Sequence, residues 1–183
     1  MPYLKYFDNK TNYGNRGMVL EEDINATNEY YLTNDIAVIY KKPTPIKILK
    51  LDYTTNKITN AFFETQSTLD YNGIYKGKYI EFDAKETKSK TSFPLNNIHP
   101  HQLKHMERIY KHGGICFLIV RFVLLDKTYL LFAKDLLEFI NNNDRKSIPL
   151  SFFEERCKKI ELKYSPRLDY IKIIKECVEK WKY

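Results

Sequence analysis

Ser67-Thr68-Leu69-Asp70-Tyr71-Asn72-Gly73-Ile74-Tyr75-Lys76-Gly77-Lys78-Tyr79-Ile80-Glu81-Phe82-Asp83-Ala84-Lys85-Glu86-Thr87-Lys88-Ser89-Lys90-Thr91 reads as two strands, Tyr71 to Lys76 and Lys78 to Thr87, folded about Gly77. In the second strand Ile80, Phe82 and Ala84 share one parity while Glu81, Asp83 and Lys85 share the other. A period of two therefore sends the apolar set into a core and lines the charged set along one cleft. Asp70 stands at the start of the first strand, where the fold-back brings it across from Asp83. The resulting pattern is Asp, twelve residues, then Asp-x-Lys.

Two hard carboxylates suit a divalent cation that keeps waters and takes a phosphate oxygen, so the pattern fits metal-assisted cleavage of a phosphodiester. The Lys85 ammonium would then lie beside the attacking water and the charge that develops on phosphorus. Taken alone, the same residues also fit a solvated sheet face with a surface ion pair, which contributes little.

The surroundings separate these readings. The run from Ser67 to Gly77, the runs Phe82-Asp83-Ala84-Lys85-Glu86-Thr87-Lys88 and Thr91-Ser92-Phe93-Pro94-Leu95, and His101-Gln102 followed by His105-Met106 resemble RecU-type Holliday-junction resolvases. So do Asn15-Arg16-Gly17-Met18, Ile24-Asn25, Ala37-Val38-Ile39-Tyr40-Lys41-Lys42-Pro43-Thr44-Pro45, Arg145-Lys146-Ser147-Ile148 and Pro166-Arg167-Leu168-Asp169-Tyr170. These matches span nearly the whole chain in order. The resemblance implies an α/β fold with a mixed central β-sheet flanked by helices, a restriction-endonuclease-like PD-(D/E)xK core, and a projecting β-hairpin stalk.

It also implies a Mg²⁺-dependent endonuclease, with Mn²⁺ as a substitute, that resolves four-way DNA junctions by paired nicks in recombination and repair. Asp70 and Asp83 would hold the metal, with Thr68 and Gln102 contributing an oxygen or orienting a water; Lys85 would complete the catalytic set. Arg16, Lys42, Lys76, Lys78, Lys88 and Arg145 are the candidates for phosphate contacts. A homodimer is implied because a four-way junction is cut on two strands related by near two-fold symmetry, and a recombinase and branch-migration proteins are suggested partners. Rival readings are a related nuclease of duplex or damaged DNA and a non-cleaving architectural binder of branched DNA. The sequence departs from the family at Asp83, where Glu is common, and in Asn141-Asn142-Asn143-Asp144, where glycines are usual.

Outward from the centre, the chain of 183 residues is long enough for one domain with its own core. Its net charge of +7 points to a polyanion, and eleven Lys and Arg against six Asp and Glu fall between Arg145 and Tyr183. Cys116, Cys157 and Cys177 form no metal or disulfide pattern, and no signal peptide or membrane span is evident, so a cytoplasmic protein is expected. Residues 1–14 read as a loosely ordered arm. Leu20, Ile24, Thr27 and Tyr31 mark a helix face over Gly17 to Leu32; Glu21 on its polar face reads as a solvated glutamate, with a place beside the metal as the alternative.

Ile36 to Tyr40 reads as a strand and Lys41-Lys42-Pro43-Thr44-Pro45 as a rigid corner presenting two lysines. Ile46 to Asp52 and Ile58 to Glu64, with turn-like Tyr53 to Lys57 between them, form the hairpin within 46–66 that corresponds to the family's stalk. Thr91 to Pro100 reads as a loop and His101 to His112 as a helix facing phosphate. Ile115 to Leu125, apolar on both parities, reads as a strand buried on two faces, with Thr128 to Ala133 as its partner. Helices are expected at Lys134 to Ile140, Ser151 to Ile160 and Tyr170 to Trp181.

Overall fold

A computed structural model describes residues 16–43, 45–63 and 68–180 of the chain. The predicted arm, residues 64–66 of the hairpin, the side chains of Arg16 and Cys177, and Trp181 lie outside the described residues.

Six strands form the central sheet: β1 (Val38–Lys41), β4 (Tyr71–Tyr75), β5 (Lys78–Thr87), β7 (Ile115–Phe122), β8 (Lys127–Phe132) and β10 (Lys158–Ile160), in the order β1-β4-β5-β7-β8-β10. Strands β5 and β7 run parallel and every other pairing is antiparallel. The turn between β4 and β5 places Lys76 and Gly77 at φ 45° and 76°, two successive left-handed residues that match the twist of the strands they join. All eight residues of β7 are buried, as its double-parity pattern predicts.

Helices α1 (Arg16–Thr33) and α5 (Tyr170–Lys180) cover one face of this sheet. There Leu20, Ile24, Tyr31, Tyr170 and Ile174 pack on Ile80, Phe82, Phe117 and Ile119, and the rings of Tyr71, Phe82 and Phe117 stack at 4.8 and 4.7 Å. Helices α2 (Pro100–Lys111), α3 (Ala133–Asn142) and α4 (Leu150–Arg156) cover the other face, over Cys116, Leu118, Val120 and Leu131. Among the described residues no helix is long and apolar enough to cross a membrane.

Two expected elements differ. The segment read as a loop from Thr91 contains β6 (Ser92–Pro94), paired with β9 (Ser147–Pro149); each strand buries one residue, Phe93 or Ile148, too few for a period to register. This pairing also fixes the end of the 141–146 loop, whose Lys146 carbonyl accepts the Leu95 N–H at 3.0 Å. The helix read over Ser151 to Ile160 ends at Arg156, because Lys158–Ile160 turns onto the sheet edge beside β8 and buries Ile160.

The hairpin of β2 (Ile46–Asp52) and β3 (Lys57–Phe63) forms its own two-stranded sheet, apart from the central one. Ile46, Ile48, Leu49, Ile58 and Phe62 are all exposed on it. At its tip Asp52 accepts the N–H of Thr54 at 2.9 Å and the Thr55 hydroxyl at 2.7 Å, which fastens the turn; Tyr53 beside it is 84% exposed.

Candidate active site

The site lies where the hairpin's two ends meet the sheet. Strand β1 approaches β4 over Gly73, where a Cβ would stand 2.1 Å from the Val38 carbonyl oxygen; only glycine permits that spacing. The ladder extends one residue beyond β1, with the Lys42 N–H donating to the Asp70 carbonyl at 2.7 Å. On the opposite side of β4, Tyr71 pairs with Phe82, so the next residues outward, Asp70 and Asp83, face each other as the sequence pattern predicts.

Asp83 is fully buried and four groups define its place. Its Oδ2 accepts the Gln102 amide at 2.7 Å and pairs with the Lys85 ammonium at 2.8 Å, while its Oδ1 accepts the Ala84 N–H at 2.8 Å; the fourth neighbour is Asp70, which hydrogen-bonds to it. Gln102 comes from the first turn of α2, where its Oε1 accepts the His99 N–H at 3.2 Å. With that oxygen engaged in starting the helix, Gln102 holds Asp83 through its amide nitrogen, a contact distinct from the two roles expected of it, an oxygen for the metal or the orientation of a bound water.

Desolvation, then the negative charge of Asp83 and the hydrogen bond between the two acids, raise the pKa of Asp70 above 3.8, against the opposing charges of Lys85 and Lys41. A fully buried carboxylate and a partly buried one held against each other are short of positive charge. Among the described residues no group of three or more His, Cys, Asp or Glu is gathered to hold a metal by itself. The donor set thus fits a hard cation that fills most of its shell from water and phosphate.

A raised carboxyl pKa favours the neutral form in the folded state, so Asp70 supports folding below pH 3.8 and loses that contribution as pH rises through its folded value. Asp70→Asn is therefore expected to raise the metal-free Tm at pH 7–8 by roughly 1–4 °C, with the gain fading towards pH 3.8, the ordinary value. Adding Mg²⁺ should stabilise the parent more than the variant and shrink or reverse the difference. Thermal scans across pH, with and without Mg²⁺, check this; a parent more stable than Asp70→Asn without metal at pH 8 would contradict it.

Two residues before Asp83 on the same face, Glu81 is 1% exposed. Its carboxylate takes the Lys42 ammonium at 2.5 Å, His105 Nε2 at 2.9 Å and the Tyr79 hydroxyl at 2.9 Å, and its Oε1 stands 3.3 Å from the Thr68 hydroxyl. Burial pushes its pKa up, but the hydrogen bonds from Lys42, His105 and Tyr79 outweigh this and hold it below the ordinary value. Glu81 was legible only as a charged residue of the same parity as Asp83 and Lys85; nothing local in the sequence announces its partners.

The other expected site residues are distributed more widely. Lys42 is turned inward, onto Glu81 and, at 2.7 Å, onto Thr68. Lys76, Lys78, Lys88 and Arg145 are exposed. Glu21 pairs with Lys41 at 2.5 Å near the exposed rim.

Facing carboxylates on a two-strand corner, a lysine two residues on and a helix-borne glutamine behind them, all on a mixed sheet between helices, define the restriction-endonuclease-like class of nucleases. The family model for recombination protein U, RecU, matches residues 15–176. The chain is 55% identical over 168 residues to the Holliday junction resolvase RecU of Geobacillus kaustophilus (strain HTA426), an alignment that covers 88% of this chain and 84% of that one. It is 52% identical over 173 residues to the Holliday junction resolvase RecU of Pediococcus pentosaceus, covering 91% and 86%, and 50% identical over 171 residues to that of Bacillus mycoides, covering 90% and 86%. The chain belongs to the RecU family. Membership of this nuclease family implies a divalent metal cofactor, which the donor set of Asp70 and Asp83 fits.

Proposed function

We propose that this protein is a Mg²⁺-dependent endonuclease that resolves four-way DNA junctions as a homodimer. The observation that carries the reading is the Asp70–Asp83–Lys85 constellation in a chain about half identical, over most of its length, to proteins named Holliday junction resolvase. Asp70 and Asp83 hold the cation. When bound, Mg²⁺ neutralises the two carboxylates and supplies Lewis acidity at the scissile phosphate.

The remaining work falls to the chain's own groups. Gln102 and the Ala84 N–H fix the Asp83 carboxylate, so its oxygens present one geometry. Lys85, held by Asp83 at 2.8 Å and partly exposed, keeps an N–H for the attacking water and for the phosphate oxygen that gains charge. Asp83 in place of Glu withdraws this carboxylate by about one bond and keeps its charge, a change that bears on metal choice more than on chemistry. Lys76, Lys78, Lys88 and Arg145 take phosphates along the arms, with Arg16, and the duplexes are gripped through their backbones without reading bases.

The β2–β3 hairpin supplies junction preference. Its exposed apolar strands and the tyrosine at its tip suit the open centre of a four-way junction, where bases at the crossover lack a stacking neighbour. Replacing residues 47–62 by a tight turn removes little buried surface, so the fold is expected to survive. Incision of four-way over linear DNA should fall from a strong preference to within about threefold of parity, as the shared phosphate contacts remain. A gel comparison of four-way, flap and linear DNA, with and without Mg²⁺, tests both claims. Equal cutting of linear DNA by the parent would favour a general duplex nuclease, binding without cutting would favour an architectural protein, and undiminished preference in the shortened protein would exclude the hairpin.

A further inference from the structure

We infer that Glu81 is a positioning residue that ties both ends of the β2–β3 hairpin to the catalytic strand, so that seating the hairpin in a junction sets the active site for cutting; this rests on the resolvase reading above. The partners of the buried carboxylate come from four separate segments. Lys42 stands four positions before the start of the hairpin and Thr68 five positions after its end, His105 lies on α2, and Tyr79 lies on β5 itself. Lys42 and Thr68 also bond each other at 2.7 Å, which closes the base of the hairpin into one polar knot.

This knot touches the site from three directions. Glu81 is two residues from Asp83 on one face of β5, about 7 Å along the strand. Lys42 donates its backbone N–H to the Asp70 carbonyl. His105 is three residues along α2 from Gln102, the residue that orients Asp83. A shift of the hairpin base thus moves groups attached to Asp70 and, through β5 and α2, to Asp83. The knot is also bound to respond as a unit, because a carboxylate this deeply buried is costly once it loses a charged partner.

A purely structural ion pair would share the distances but not the consequence for hairpin-dependent cutting. The decisive measurement is single-turnover incision at saturating protein for the parent, Glu81→Gln, the hairpin-shortened protein and their combination. Junction affinity is read separately in Ca²⁺. Glu81→Gln is expected to slow four-way incision by ten- to a hundredfold and to change the junction Kd by less than threefold. In the hairpin-shortened protein the same substitution should slow incision by less than threefold, since there is no hairpin left to couple.

Equal losses with and without the hairpin, or no loss at all, would overturn the inference and leave Glu81 a fold-stabilising group. If Glu81→Gln does not fold by circular dichroism, Glu81→Asp replaces it in the same comparison: it keeps the charge but is one methylene too short to reach both hairpin ends. A parent that does not prefer four-way over linear DNA would instead refute the resolvase reading, a distinct failure visible in the first control.

Discussion

Asp83→Ala is expected to abolish junction cleavage, with a loss of roughly three to five orders of magnitude, while its affinity for the uncut junction should stay within about tenfold of the parent. The asymmetry follows from where the contacts lie. Asp83 is buried at the join of β4, β5 and α2, and its hydrogen-bonding partners are Gln102, Lys85, Asp70 and the Ala84 N–H. On the proposed reading alanine takes away half of the carboxylate pair that would hold the cation, and it removes the anchor of Lys85. The exposed cations expected on DNA stand elsewhere on the surface. The substitution also relieves the crowding that raises the Asp70 pKa, which offsets part of the lost hydrogen bonding, so a folded inactive protein is the expected outcome. Incision of a labelled four-way junction, paired with gel-shift binding in Ca²⁺, measures both quantities. Cleavage within tenfold of the parent would remove Asp83 from the mechanism, and a matching fall in affinity would make it a binding residue instead.

The centre of the molecule was legible because its signals are local. A strict alternation over Ile80 to Lys85 fixes both faces of β5, and a two-residue turn fixes the register that sets Asp70 against Asp83. Apolar residues on both parities give β7 its central place. The knot around Glu81 was not legible, since its partners stand 39, 24 and 13 positions away at Lys42, His105 and Thr68.

Asp23 teaches the same lesson. On α1, which the sequence resolves only into an apolar stripe and a polar face, it is buried between Arg121 and Arg167, at 2.7 and 2.9 Å, across separations of 98 and 144 residues. These groups are charged by composition and interior by partnership, and only the folded chain supplies the partner. Short strands fail for a different reason: β6, β9 and β10 have three residues each, less than two full periods of alternation.

The chain carries one Asp70–Asp83–Lys85 constellation, so on the proposed reading, one centre for one incision, severing two strands of a junction in a single encounter should take two copies of the chain. A plasmid-borne cruciform makes the count visible. A cruciform nicked once loses superhelical tension and is reabsorbed, whereas two incisions made before release yield linear product. The dimer is expected to give linear DNA. When it is mixed with a tenfold excess of Asp83→Ala protein and allowed to exchange subunits, most active molecules become heterodimers with one working centre. Because the variant still binds junctions, these heterodimers still seat on the cruciform. The principal product should then change from linear to nicked circles, a reversal in product type rather than a matter of rate. Time courses resolved on agarose read it directly. If the mixture merely slows in proportion to dilution while its product stays linear, the two cuts are not divided between subunits, and paired action by a symmetric dimer is the wrong mechanism for this protein.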